Sequence, residues 1–175
     1  MLTEIDSRLL EKIADLTGKP VGAFNIRKDS GCEARQSTEH IEIVPQPEGK
    51  SGIIIRIKPG TKGEQCHIPV IISKTGLSEM VYNDFYVGDD CDVDIIAGCG
   101  IHNSGCDESR HDGIHTFHIG KNSKVRYVEK HFGEKDPGQT GGNIMNPKTV
   151  VYLGENSTMQ LSLIHISEPT RPEPI

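Results

Sequence analysis

Tryptophan is absent and aromatic residues make up only 5% of the chain, whereas glycine is abundant at 19 of 175 residues. That balance suits many short strands joined by corners better than a helical bundle. No apolar run approaches the ~20 residues needed to span a bilayer, and the N-terminus lacks the apolar core of a signal peptide. Positive charge is not in excess: the net charge is −6, which gives no electrostatic reason to expect nucleic acid as a partner. Nor is there a disulfide framework. The five cysteines, at 32, 66, 91, 99 and 106, are odd in number and scattered, which points to reduced thiols and predicts a cytoplasmic protein. The length allows one real core, and no shift in composition marks a second.

What the sequence does contain is a repeat. Phe85–Val93 (FYVGDDCDV), Phe117–Val125 (FHIGKNSKV) and Val151–Met159 (VYLGENSTM) each alternate apolar and polar residues up to a glycine, turn through Asp or Asn and a small residue, then alternate again. This is a strand–corner–strand unit. Stacked in register, Phe85, Phe117 and Val151 form one inward column, and Val87, Ile119 and Leu153 the next. Asp92 and Asp94 then fall beside Lys124 and Arg126 on the outer face, and His118 falls between Tyr86 and Tyr152 as a surface stacking residue. Gly88, Gly120 and Gly154 occupy corner positions where a positive φ is expected. The reading is a mainly β protein, a right-handed parallel β-helix with a short N-terminal α-helix.

That helix is expected over residues 3–17. Thr3 with Asp6 makes a capping-box-like start, Leu2, Ile5, Leu9, Ile13 and Leu16 mark one apolar face, and Gly18 and Pro20 end it. Residues 1–19 are therefore the helical part and 20–160 the partial β-helix core. Short β-branched runs at 41–44, 53–57 and 68–72 are expected to form the first coils. Loops are expected at about 97–113 and 133–147. The stretch from Leu161 to Pro172 matches, codon for codon, the translation of a transposase sequencing adapter that begins CTG TCT CTT ATA CAC ATC. Residues 161–175 are accordingly expected to be a non-native tail.

The densest chemistry lies between Cys91 and His118, where three of the five cysteines and four of the eight histidines fall. Thiolate and imidazole are ligands that iron and zinc select. The set contains no CxxC pair, which argues against a structural zinc knuckle. Strand alternation counted from Phe117 turns His115 toward the core and His118 outward. Cys91, at a corner where Ser123 and Ser157 stand in the other repeats, reads as a small packed thiol, as do Cys32 and Cys66. The remaining candidates are Cys99 and Cys106 as cluster-binding or reactive thiols and His102, His111 and His115 as metal ligands, against the alternative that all five are satisfied loop and core residues. Asp107 and Glu108 disfavour a Cys106 thiolate, while Arg110, His102 and His111 favour it. The spacing His111-x3-His115-x2-His118 with Glu129 also invites comparison with a cupin metal site, although that site uses His-x-His.

With these segments in hand, Ile95–His102 (IIAGCGIH), His111–His115 (HDGIH), Ile119–Glu134 (IGKNSKVRYVEKHFGE) and Gly142–Pro147 (GNIMNP) resemble the SufB/SufD family in its shorter form. The likeness covers about residues 1–160 and is most specific over 119–134. It implies a β-helical scaffold subunit for iron–sulfur cluster assembly, working with a SufC-type ATPase and a second SufB/SufD-type subunit, itself or a sibling. It also implies a transient iron–sulfur cluster as cofactor, leaves a flavin open, and makes the chain a scaffold rather than an enzyme. The family's further coils and the ligands they carry are not matched by the residues after Gln160. Two other readings stand beside it: a cupin-like metal enzyme, and a structural β-solenoid that only pairs with a partner.

Overall fold

The computed structural model describes residues 1–166. Its helix α1, Glu4–Ala14, is opened by a complete capping box: the Thr3 hydroxyl accepts from the Asp6 N–H, and the Asp6 carboxylate accepts from the Thr3 N–H. It stops at Asp15, which takes a left-handed conformation (φ 53°) and donates its N–H to the Glu11 carbonyl, so the helix is shorter than the 3–17 expected. Leu9, Leu10, Ile13 and Ala14 form its buried face.

Two antiparallel pairs cap the first coil. Strands β1 (Ala23–Lys28) and β2 (Gly31–Gln36) form a hairpin, and β3 (Ile41–Pro45) pairs with β4 (Gly52–Ile57). All later pairings are parallel. The chain runs through β5 (Lys62–Ile72), β6 (Ser78–Val87), β7 (Asp92–Asn103), β8 (Ser109–Ile119), β9 (Lys124–Lys135), β10 (Asn143–Leu153) and β11 (Thr158–Ile166), alternating between two sheets. One sheet has the order β11-β9-β7-β5-β1-β2 and the other β10-β8-β6-β4-β3. This is the parallel β-helix read from the repeats, with about four coils.

The register is the expected one. Phe85 pairs with Phe117 and Phe117 with Val151, while Asp92 and Asp94 lie beside Lys124 and Arg126. The Phe85 and Phe117 rings stack at 4.1 Å between centroids, an arrangement worth about 0.5–1.5 kcal/mol beyond the area it buries. Outside, the His118 ring lies between those of Tyr86 (4.9 Å) and Tyr152 (5.0 Å).

The corners correct one expectation. The residues with positive φ are Asp90, Asn122 and Asn156, two positions after each glycine, and Asp and Asn are the non-glycine residues that tolerate this region best. Gly88, Gly120 and Gly154 are required for a different reason. A Cβ on Gly154 would stand 2.8 Å from the Gly120 carbonyl carbon, and one on Gly120 would stand 2.7 Å from that of Gly88. The glycines stack directly on one another, and backbone touches backbone along their ridge.

The loops are also shorter than expected, 104–108 and 136–142 in place of 97–113 and 133–147. Residues 98–103 and 109–113 continue β7 and β8: Cys99, Ile101, Ser109, His111 and Gly113 face the interior, while Gly98 and Gly100 meet helix α1 and Arg110 and Asp112 pair on the other face. Residues 161–166, read from the sequence as tail, lie within β11 and pair with β9. The rest of that tail, 167–175, lies outside the described residues. No helix among the described residues is long and apolar enough to cross a membrane.

Candidate functional site

Alternation along each strand decides which side chains enter the lumen. From Phe117 back along β8 the inward positions are His115, Gly113, His111 and Ser109; from Phe85 back along β6 they are Asn83, Val81 and Glu79. On the facing sheet, β7 sends Ile95, Ala97, Cys99 and Ile101 inward, and β9 sends Tyr127, Glu129 and His131. All of these are buried. The lumen is therefore apolar near the glycine ridge, where Phe85, Phe117 and Tyr127 meet, and polar toward the opposite corners.

Two carboxylates organise the polar half. Glu79 accepts from Arg27 (Nη2, 3.0 Å), Ser30 (Oγ, 2.9 Å) and His111 (Nδ1, 2.8 Å). Burial alone would raise its carboxyl, but the bonds from His111 and Arg27 outweigh that and hold it at about 2. Among the described residues, Glu129 has no Lys or Arg bonded to it. Its Oε1 lies 3.5 Å from His115 Nε2 and 3.2 Å from His131 Nε2, and against the same burial these imidazoles hold it at about 2.

His111 and His115 approach one another across Gly113. The point its missing Cβ would occupy is 3.0 Å from His115 Nε2 and 3.4 Å from His111 Nε2. His115 Nδ1 lies 3.4 Å from the Asn83 amide nitrogen, while among the described residues the buried His131 Nδ1 has no hydrogen-bond partner. Cys99 is fully enclosed. Burial, followed by the charges of Glu79 and Glu129, pushes its thiol well above the ordinary range, so it is held protonated and weakly nucleophilic.

The five residues singled out by sequence thus divide into three places. Cys99, His111 and His115 share the lumen. His102, on the opposite face of β7, hydrogen-bonds Glu134 and lies 3.1 Å from Asp136 Oδ1, and Cys106 is exposed on the 104–108 loop with its sulfur 3.8 Å from Gln139 Oε1. All five cysteines are unpaired, Cys66 is buried with its thiol pushed up to about 12, and Cys91 packs at its corner as expected. His118 lies on the outside, and the parallel coils are not a cupin barrel.

Glu79 and His131 were missed by the sequence reading, which named Glu129 only in the comparison with a cupin site. The signal was available: the alternation that placed His115 inward also reaches Glu79 three inward positions before Phe85, and Glu129 and His131 just after Tyr127.

Among the described residues, no three His, Cys, Asp or Glu side chains stand where they could hold a metal ion. Most of the lumen's polar side chains are engaged with one another, so they form no ready-made cluster cage, although thiol, imidazole and carboxylate are the donor types iron takes up. Comparison with protein families, with curated proteins and with solved structures found no match.

Proposed function

We propose that the chain is part of a SufB/SufD-type scaffold for iron–sulfur cluster assembly, acting beside a SufC-type ATPase and a second subunit of its own kind in the cytoplasm. The observation that carries this reading is the polar part of the lumen, where Cys99 feels the charges of Glu79 and Glu129, stands beside His131 of the next coil and shares the interior with His111 and His115. An ordinary β-helix core stacks apolar residues; enclosing one thiol, two carboxylates and three imidazoles is costly unless the enclosed groups are used. Iron and sulfide are cargo on this reading. Taking them up requires the Glu129–imidazole contacts to exchange for contacts with the cargo, and Cys99 to lose its proton to a neighbouring base.

The test is anaerobic incubation of the chain with ferrous iron and sulfide, followed by desalting and measurement of retained iron, sulfide and visible absorption. Retention that falls in Cys99→Ser and persists in Cys106→Ser supports the lumen as the site. Retention that persists in Cys99→Ser removes the lumen from it. No retention by a folded wild-type chain overturns the reading and favours a structural solenoid.

A further inference from the structure

Helix α1 meets the β-helix along two neighbouring stripes, and only one of them is closed. Leu9 and Ile13 settle on the bare backbone of β7, where a Cβ on Gly98 would stand 3.0 Å from Ile13 Cβ and one on Gly100 would stand 3.2 Å from Leu9 Cβ. Leu10, one residue further around the helix, borders a cavity of about 360 Å³ instead. The far wall is the hairpin: Ile26 of β1 and Ala34 of β2, which are paired directly across the two strands. Leu2 and Leu16, on either side of α1 in sequence, complete the apolar lining. Ala34 stands where a strand usually carries a larger, β-branched residue, and its single methyl leaves the space unfilled.

The rim carries the charge. At the end of α1 the chain turns left-handed at Asp15, and the Leu16 N–H reaches back to the Leu10 carbonyl at 3.4 Å, so that residues 16–19 fold over as one edge of the cavity and end it with Lys19. The other polar groups there are already engaged. Glu33 is held by the Met1 amino group at 2.9 Å, and the Ser7 hydroxyl donates to the Thr3 carbonyl at 3.0 Å. Among the described residues Lys19 has no anionic partner. An apolar cavity with one uncommitted cation on its rim fits an apolar chain that ends in an anion. At about 30 Å³ per heavy atom, the share a water molecule takes in the liquid, it holds a saturated acid of about ten carbons.

We propose that the cavity between α1 and the β1–β2 hairpin binds a medium-chain fatty acid, with the chain against Leu10, Ile26 and Ala34 and the carboxylate at Lys19. This inference is independent of the function proposed above.

Titration of the whole chain with hexanoate, octanoate, decanoate and dodecanoate tests it, read by calorimetry and by methyl NMR. Affinity should rise about fourfold with each added methylene up to about ten carbons and level off beyond, where the cavity is full. The methyl signals of Leu2, Leu10, Leu16 and Ile26 should shift, and those of Val87 and Ile119 in the lumen should not. Ala34→Leu fills the space and should weaken decanoate by about tenfold or more. Lys19→Met leaves the space open and should weaken octanoate about threefold to fivefold while leaving octanol unchanged, which keeps the test decisive should Ala34→Leu fail to fold. Three results overturn the proposal: no heat and no methyl shift with decanoate up to about 1 mM, shifts confined to other methyls, or equal affinity for octanoate and octanol in the wild type.

Discussion

The two halves of the lumen solve the same packing problem by different means. Near the glycine ridge, Phe85, Phe117, Tyr127 and Ile95 fill the space with apolar volume. Toward the opposite corners, Glu79, Glu129 and their imidazole partners set hydrogen bonds and ion pairs beside a smaller apolar cluster of Val70, Ile72, Cys99 and Ile101. Both halves are buried, so the difference lies in how each tolerates change. The apolar half depends on shape and is indifferent to pH; the polar half depends on protonation state and fails when that changes.

Three measurements can break or sharpen this contrast. The largest effect is expected from Phe117→Ala, which removes a ring stacked on Phe85 and edge-on to Tyr127 and should cost about 3–5 kcal/mol in chemical denaturation, equally at neutral and mildly acid pH. A loss below about 1 kcal/mol would mean that the ring column is not the main support of this half. Next comes acid. Because the Glu129 carboxyl is held at about 2, below its ordinary 4.5, its contribution is complete above about pH 4.5 and disappears as the pH falls through about 2. Between about pH 5 and pH 2 the wild type should therefore lose about 2–3 kcal/mol more than Glu129→Gln. Equal losses would show that the polar half is not held by that charge. The smallest effect belongs outside. Tyr86→Ala interrupts the exposed Tyr86–His118–Tyr152 stack and should cost about 0.5–1.5 kcal/mol in the same assay, distinguishing a surface ladder from the core beneath it.

Most of the fold was legible because the repeats carry their own register. Phe85, Phe117 and Val151 could be aligned without coordinates, and the pairs Asp92–Lys124 and Asp94–Arg126 confirmed the alignment from the other face. The misreadings have physical causes. Glycine at a corner suggests a left-handed residue, but here Asn122 and Asn156 take that conformation and glycine is needed for close approach between coils. Residues 98–103 and 109–113 were read as loop, whereas their alternate side chains, Cys99, Ile101, Ser109 and His111, line an interior and keep the backbone in strand. The candidate site was grouped by nearness in sequence. That put His102 with Cys99, although three steps along a strand place two side chains on opposite faces.

The corners of the β-helix also differ between its two sides. Along the glycine ridge they span 58–61, 88–91, 120–123 and 154–157, four residues every time, while on the far side 73–77, 104–108 and 136–142 vary. Backbone contact binds the ridge like the spine of a book, and the far side resembles the loose edges of its pages. Insertions and deletions should therefore be survivable only at the page edges. Any new specificity the β-helix acquires would be written there, next to the polar part of the lumen and away from the spine that keeps its leaves in order.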